Sequence, residues 1–123
     1  MFKEREIKYD KNKGHISVEI KNAGFANQGS FNVHITNGLE TRKLGEGKFG
    51  DSIPDIFLIN IPPDQIEEWT LMIIGSYAPA FGHDQISVDY NFLQQAELID
   101  DSETIRMQAT ALSAHHDFTF KSN

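Results

Sequence analysis

Cysteine is absent from the chain. That excludes thiol catalysis, cysteine-ligated zinc, iron–sulfur clusters and disulfide stapling, and it leaves the compartment open, because a core of this size needs no staple in either redox environment. Basic residues are scarce: eleven Lys and Arg stand against eighteen Asp and Glu, a formal net charge of -7. Such a balance disfavours nonspecific attraction to phosphate backbones and anionic membranes, so nucleic acid is not an expected partner. Long hydrophobic runs are missing too. No stretch approaches the roughly 18 to 20 apolar residues that span a bilayer, and the opening Met1-Phe2-Lys3-Glu4-Arg5-Glu6 lacks the apolar core of a secretory signal. Membrane insertion is therefore not expected. A full-length chain would be cytoplasmic, whereas a piece excised from an exported protein would be extracellular.

What the chain does contain is enough apolar surface for one core. Its 123 residues suit a single domain spanning 1–123, and 39% of them are hydrophobic, with nine Phe to fill an interior. The clearest unit is residues 14–36. Ile16, Val18 and Ile20 alternate with Ser17, Glu19 and Lys21, and Phe31, Val33 and Ile35 alternate with Asn32, His34 and Thr36. This period of two marks strands with one buried face. Asn22, Gly24, Asn27 and Gly29 between them are residues that break strands and tolerate positive φ.

The remaining chain reads mostly as strand and turn. Ile7 and Tyr9 suggest a short first strand; residues 37–52, polar and with no apolar period, read as a long loop. The apolar run at 55–61 predicts a strand buried on both sides or at a sheet switch, Pro63 to Glu68 a turn or single helical turn, and Trp69 to Ile74 another strand. A second loop covers 76–84. Alternation returns at Ile86, Val88, Tyr90 and Phe92, then at Ile105 to Ala111, and a terminal strand carries Phe118 and Phe120 after His115-His116. A helical period is present only weakly, at 92–99. Seven or eight strands without intervening helices predict an all-β fold, an immunoglobulin-like antiparallel β-sandwich.

Several motifs invite a chemical reading. Gly45-Glu46-Gly47-Lys48-Phe49-Gly50 fits G-x-G-x-x-G and looks like the glycine-rich loop of protein kinases, yet no other kinase motif follows and no helix begins after it, so a flexible glycine loop is the simpler reading. Phe49-Gly50-Asp51-Ser52-Ile53 resembles the nucleophile block of the GDSL hydrolases, which would make Ser52 the nucleophile of a small serine hydrolase; the Asp-x-x-His and Gly-x-Asn-Asp blocks of that family are missing. Five histidines permit a metal site in principle. Adjacent His115 and His116 would point to opposite faces of a strand, however, and no His-x-His occurs, so no metal is expected. Asp100-Asp101-Ser102-Glu103 lacks the spacing and glycine of a calcium loop and reads as a solvated turn. Of the aromatics that could stack on sugar rings, Trp69 and Tyr90 fall in phase with apolar neighbours and belong to the core. Tyr77 and Phe81, with His83 and Asp84 beside them, remain as candidate ligand-binding residues on the 76–84 loop.

The opening unit is similar to bacterial CARDB domains, immunoglobulin-like modules named for cell adhesion. Those begin with a strand, then Lys-Asn-x-Gly and a Phe-containing second strand, here Ile16 to Ile20, Lys21-Asn22-Ala23-Gly24 and Ser30-Phe31-Asn32-Val33. The resemblance extends over residues 14–105 and departs from the family in the ending of the acidic turn and in the extra chain from Ile105 to Asn123. It implies a bacterial noncatalytic module, not an enzyme, working through a protein partner or homo-oligomer as spacer, adhesive domain or assembly subunit. A carbohydrate-binding module and a hydrolase using Ser52 stand as alternatives. No cofactor is implied.

Overall fold

A computed structural model describes residues 2–22, 28–48, 54–78, 85–101, 105–108 and 113–123. These form ten strands and one 3-10 turn: β1 (Phe2–Tyr9), β2 (Ile16–Asn22), β3 (Gln28–Thr36), β4 (Thr41–Lys48), β5 (Asp55–Leu58), the turn Ile66–Glu68, β6 (Thr70–Ala78), β7 (Gln85–Gln94), β8 (Glu97–Asp101), β9 (Ile105–Gln108) and β10 (Ser113–Ser122). They build two five-stranded sheets. The first runs β1-β10-β6-β3-β4; the second runs β5-β2-β7-β8, with β9 also paired to β7. All neighbours are antiparallel except β1, which lies parallel to β10.

Alternation explains the sandwich. The inward positions of β2 and β7 (Ile16, Val18, Ile20, Tyr90, Phe92) meet those of β3, β6 and β10 (Phe31, Val33, Ile35, Leu71, Ile73, Phe118, Phe120), and all are buried. The crossover from β5 to β6 closes one end with Ile59, Ile61, Ile66 and Trp69. Tyr9 donates its hydroxyl to the Pro63 carbonyl at 2.7 Å, tying that crossover to the end of β1. Buried Gln94 secures the same end: its amide donates to the carbonyls of Asp10 and Gly14, and its carbonyl accepts from the Asp10 N–H, each at 2.9 Å.

Two expectations from the sequence need correction. Residues 37–52 are not one loop, because β4 lies within them and pairs along β3. Its apolar period is hidden because the inward positions opposite Val33 and Phe31 are Gly45 and Gly47. A Cβ on Gly45 would stand 2.5 Å from the Phe57 ring, and one on Gly47 would collide with the Phe31 ring and lie 2.6 Å from an Asp55 carboxylate oxygen. The rings of neighbouring strands thus occupy the space that β4 side chains would need. Of the two readings of the apolar run at 55–61, burial on both sides fails and the sheet switch holds: β5 belongs to the second sheet while β4 and β6 lie in the first, and it is an edge strand with Phe57 half-buried and Ile56 and Leu58 exposed. The weak helical period at 92–99 forms no helix, in keeping with the all-β expectation. Gln95 and Ala96 form a two-residue turn with φ of 51° and 62°, joining β7 to β8.

Candidate functional site

The two outer faces of the sandwich differ in chemistry. On the first sheet, cross-strand register aligns Thr119, Thr70, Thr36 and Thr41 in one row. The next row holds Glu4, Asp117, Met72, His34 and Lys43. His115 and Asp117 share this outward face two residues apart, with His115 Nε2 2.7 Å from Asp117 Oδ1, off the line of a good hydrogen bond. This face is mostly polar, but Met72 stands in the second row, Ile74 beside it is 38% exposed, and the His115 Nε2 and Asp117 Oδ1 atoms are themselves buried.

The second sheet departs from that pattern. Register there aligns Leu58, Ser17, Leu93 and Leu98 across β5, β2, β7 and β8. Leu58 is 57% exposed and Leu98 55%, and Ile56 beside them is 65% exposed. With neighbouring strands about 4.8 Å apart, the row spans about 14 Å. Small Ser17 between two leucines leaves a depression over β2. The hollow measures about 290 Å³ and is lined by Ser17, Glu19, Ile56, Leu93, Gln95 and Ala96. Glu19, on its floor, accepts a hydrogen bond from the Asn91 side-chain amide at 3.2 Å.

Gln95 and Ala96, at one end of this face, occupy the left-handed backbone that a two-residue hairpin turn requires at both central positions. Edge protection stops at β5. The edge strands β1 (FKEREIKY) and β4 (TRKLGEGK) carry charges along their length, the usual guard against unwanted pairing, whereas β5 (DIFL) turns Ile56 and Leu58 outward.

A second hollow, of about 410 Å³, lies at the seam of β4 and β5 and is lined by Ser30, Glu46, Gly47, Lys48 and Asp55. Gly47 of the G-x-G-x-x-G match borders it, but the role of Gly45 and Gly47 is packing: they admit the Phe57 and Phe31 rings, which meet edge to face at 6.1 Å.

Phe81, His83 and Asp84 lie outside the described residues, as do Ser52 and the Ser102-Glu103 end of the acidic turn. Tyr77 stands in β6 opposite Gly29. Trp69 and Tyr90 are buried, as their phase implies. Arg42 stacks its guanidinium over the Trp69 ring at 5.0 Å from the centroid. His115 and His116 do point to opposite faces, since His116 is buried, with its Nδ1 hydrogen-bonded to the Tyr90 hydroxyl at 3.0 Å. Among the described residues, no group of three or more His, Asp and Glu side chains gathers as a metal ion requires, and no helix is long and apolar enough to cross a membrane.

The sequence contains the apolar row but does not announce it. Leu58, Ser17, Leu93 and Leu98 are distant in sequence and become neighbours only through register; the available signal is Leu93 and Leu98 falling out of phase with the inward residues of their own strands. No protein-family model and no curated protein matches the chain.

Proposed function

We propose that this chain is a noncatalytic, immunoglobulin-like β-sandwich module that works by protein–protein contact, with the outer face of β5-β2-β7-β8 as its docking surface. The observation that carries this reading is the difference between the two outer faces: threonines and charges around Met72 and Ile74 on one, and a larger apolar cluster of Leu58, Leu93, Leu98 and Ile56 around a hollow on the other. Contiguous apolar surface on a folded domain marks interaction sites, because leaving it in water forgoes about 25 cal/mol for each Å² that a partner could cover. The resemblance of residues 14–105 to bacterial adhesion-related modules supports the same kind of role, by analogy of fold and motif.

Site-specific photo-crosslinking tests the assignment. A photoreactive residue at position 58 in the full protein, produced in its own cells, is expected to give discrete crosslinked species, while one at position 119 on the opposite face gives none. Equal products from both positions, or products from position 119 alone, would overturn it.

A further inference from the structure

Among the asparagines of the chain only Asn37 is followed by glycine, and the pair sits at the tip of the β3–β4 hairpin, Asn37-Gly38-Leu39-Glu40. Asparagine is thermolabile because the backbone nitrogen after it can attack the side-chain carboxamide, and glycine, with no side chain, hinders that attack least. In this tip both reacting groups are tied down. Asn37 Oδ1 accepts from the N–H groups of Leu39 and Glu40, each at 2.9 Å. The Gly38 N–H donates to the Thr36 hydroxyl oxygen at 3.1 Å. That hydroxyl gives its own proton to the Glu40 carbonyl at 2.8 Å and receives one from the Thr41 hydroxyl at 3.1 Å. Thr36 therefore turns a lone pair, and no proton, toward the Gly38 nitrogen.

We propose that Asn37 is a deamidation site held shut by the Thr36 hydroxyl and released when the hairpin tip opens. The reaction needs no co-reactant but water. The Gly38 nitrogen gives its proton to solvent and bonds to Asn37 Cγ; the Cγ–Nδ2 bond breaks, and ammonia leaves with a proton taken back from solvent, closing a succinimide. Water then adds at one of the two ring carbonyls, and the ring opens to an aspartyl or an isoaspartyl unit at position 37. Two features of the closed tip oppose the first step. The bond to Thr36 favours the protonated Gly38 nitrogen, so the anion that must attack is disfavoured where it forms. Closing the ring also turns the carboxamide away from Leu39 and Glu40 and costs both their hydrogen bonds. Nothing else resists. A Cβ at Gly38 would meet no atom within 4 Å, and Leu39 is 95% exposed, so the tip rearranges without displacing a neighbour. Local opening of such a tip costs less than global unfolding, and each opening that ends in reaction adds a permanent negative charge to a chain already at -7.

Peptide mapping by mass spectrometry tests this, following over days at mildly alkaline pH the fraction of position 37 that carries the mass gain of amide-to-acid exchange. The folded wild type is expected to react about tenfold or more slowly than the same chain unfolded in guanidinium. Folded Thr36→Val is expected to react about fivefold faster than the folded wild type, and Thr36→Ser, which keeps the hydroxyl, at the wild-type rate. Thr36→Ala serves in place of Thr36→Val should that variant lose its β-sheet circular dichroism. Equal rates for Thr36→Val and the wild type, or a Thr36→Ser rate that matches Thr36→Val, would overturn the proposal. So would a folded chain that reacts as fast as the unfolded one; a faster folded chain would show the Leu39 and Glu40 N–H groups acting instead as an oxyanion hole for the attack.

Discussion

Tyr90 and His116 meet inside the sandwich with ring centroids 5.6 Å apart, each solving a problem that burial creates for the other. Burial pushes the Tyr90 phenol above its ordinary 10.0, so it keeps its proton and shares a hydrogen bond with His116 Nδ1. Replacing His116 by Leu removes that hydrogen-bond partner from a buried hydroxyl and is expected to lower stability by about 1 to 3 kcal/mol. Tyr90→Phe should be costly as well. Denaturant unfolding of both single variants and the double variant should yield a coupling of about 1 kcal/mol, and strict additivity would count against the bond. Burial also raises Tyr9, with the nearby Glu67 and Asp64 carboxylates adding to the effect. Because the folded chain holds these protons more tightly than the unfolded one, their contribution is complete below pH 10.0, the ordinary tyrosine value, and is lost as the pH rises above it. Thermal unfolding of Tyr90→Phe should therefore fall less steeply above that pH than unfolding of the wild type. At the β7–β8 turn, Ala96→Gly relieves a left-handed alanine with φ of 62° and is expected to stabilise by about 1 kcal/mol, read as a higher denaturation midpoint.

Strand β4 illustrates how an element can exist without its own hydrophobic pattern. Its inward positions Gly45 and Gly47 are filled by the Phe57 and Phe31 rings from β5 and β3, which cover the seam where the two sheets come together. Gly45→Val would force the Phe57 ring aside, an overpacking change expected to lower stability by about 1 to 3 kcal/mol. Part of the loss should return in Gly45→Val with Phe57→Ala, where the valine occupies the vacated space. No recovery would mean that β4 needs glycine for its backbone and not for the ring. Glu67 supplies a smaller fastening: its carboxylate accepts the Ser122 N–H at 2.6 Å and so holds the end of β10 to the 3-10 turn.

At the scale of the molecule, the unequal faces matter most. Net charge of -7 disfavours indiscriminate association, so contacts are expected to concentrate where charge is sparse and apolar area is exposed. Ile56→Thr with Leu58→Thr should leave the fold intact, since both side chains point to water, while reducing binding of an environment-sensitive dye and crosslinking to whatever covers the face. A large loss of melting temperature in that double variant would show instead that the residues support the fold. The sandwich itself was readable in advance. Ile16 to Ile20, Phe31 to Ile35 and Tyr90 with Phe92 announce strands by alternation, which is a local property.

Sequence alone thus determined the class of fold, the inward side of the regular strands and the core positions of Trp69 and Tyr90, because side-chain period follows directly from backbone geometry. Only the tertiary structure decided the rest. Strand β4 is invisible locally because other strands supply its side-chain volume. The edge position of β5 depends on which strands pair, so the same apolar run that reads as buried on both sides or at a sheet switch leaves Ile56 and Leu58 in water. The apolar row is the sharpest case: Leu58, Ser17, Leu93 and Leu98 adjoin through the register of three strand pairs. A slip of one residue in any pair would break that row, so the candidate site belongs to the register of the sheet and not to any segment of the chain.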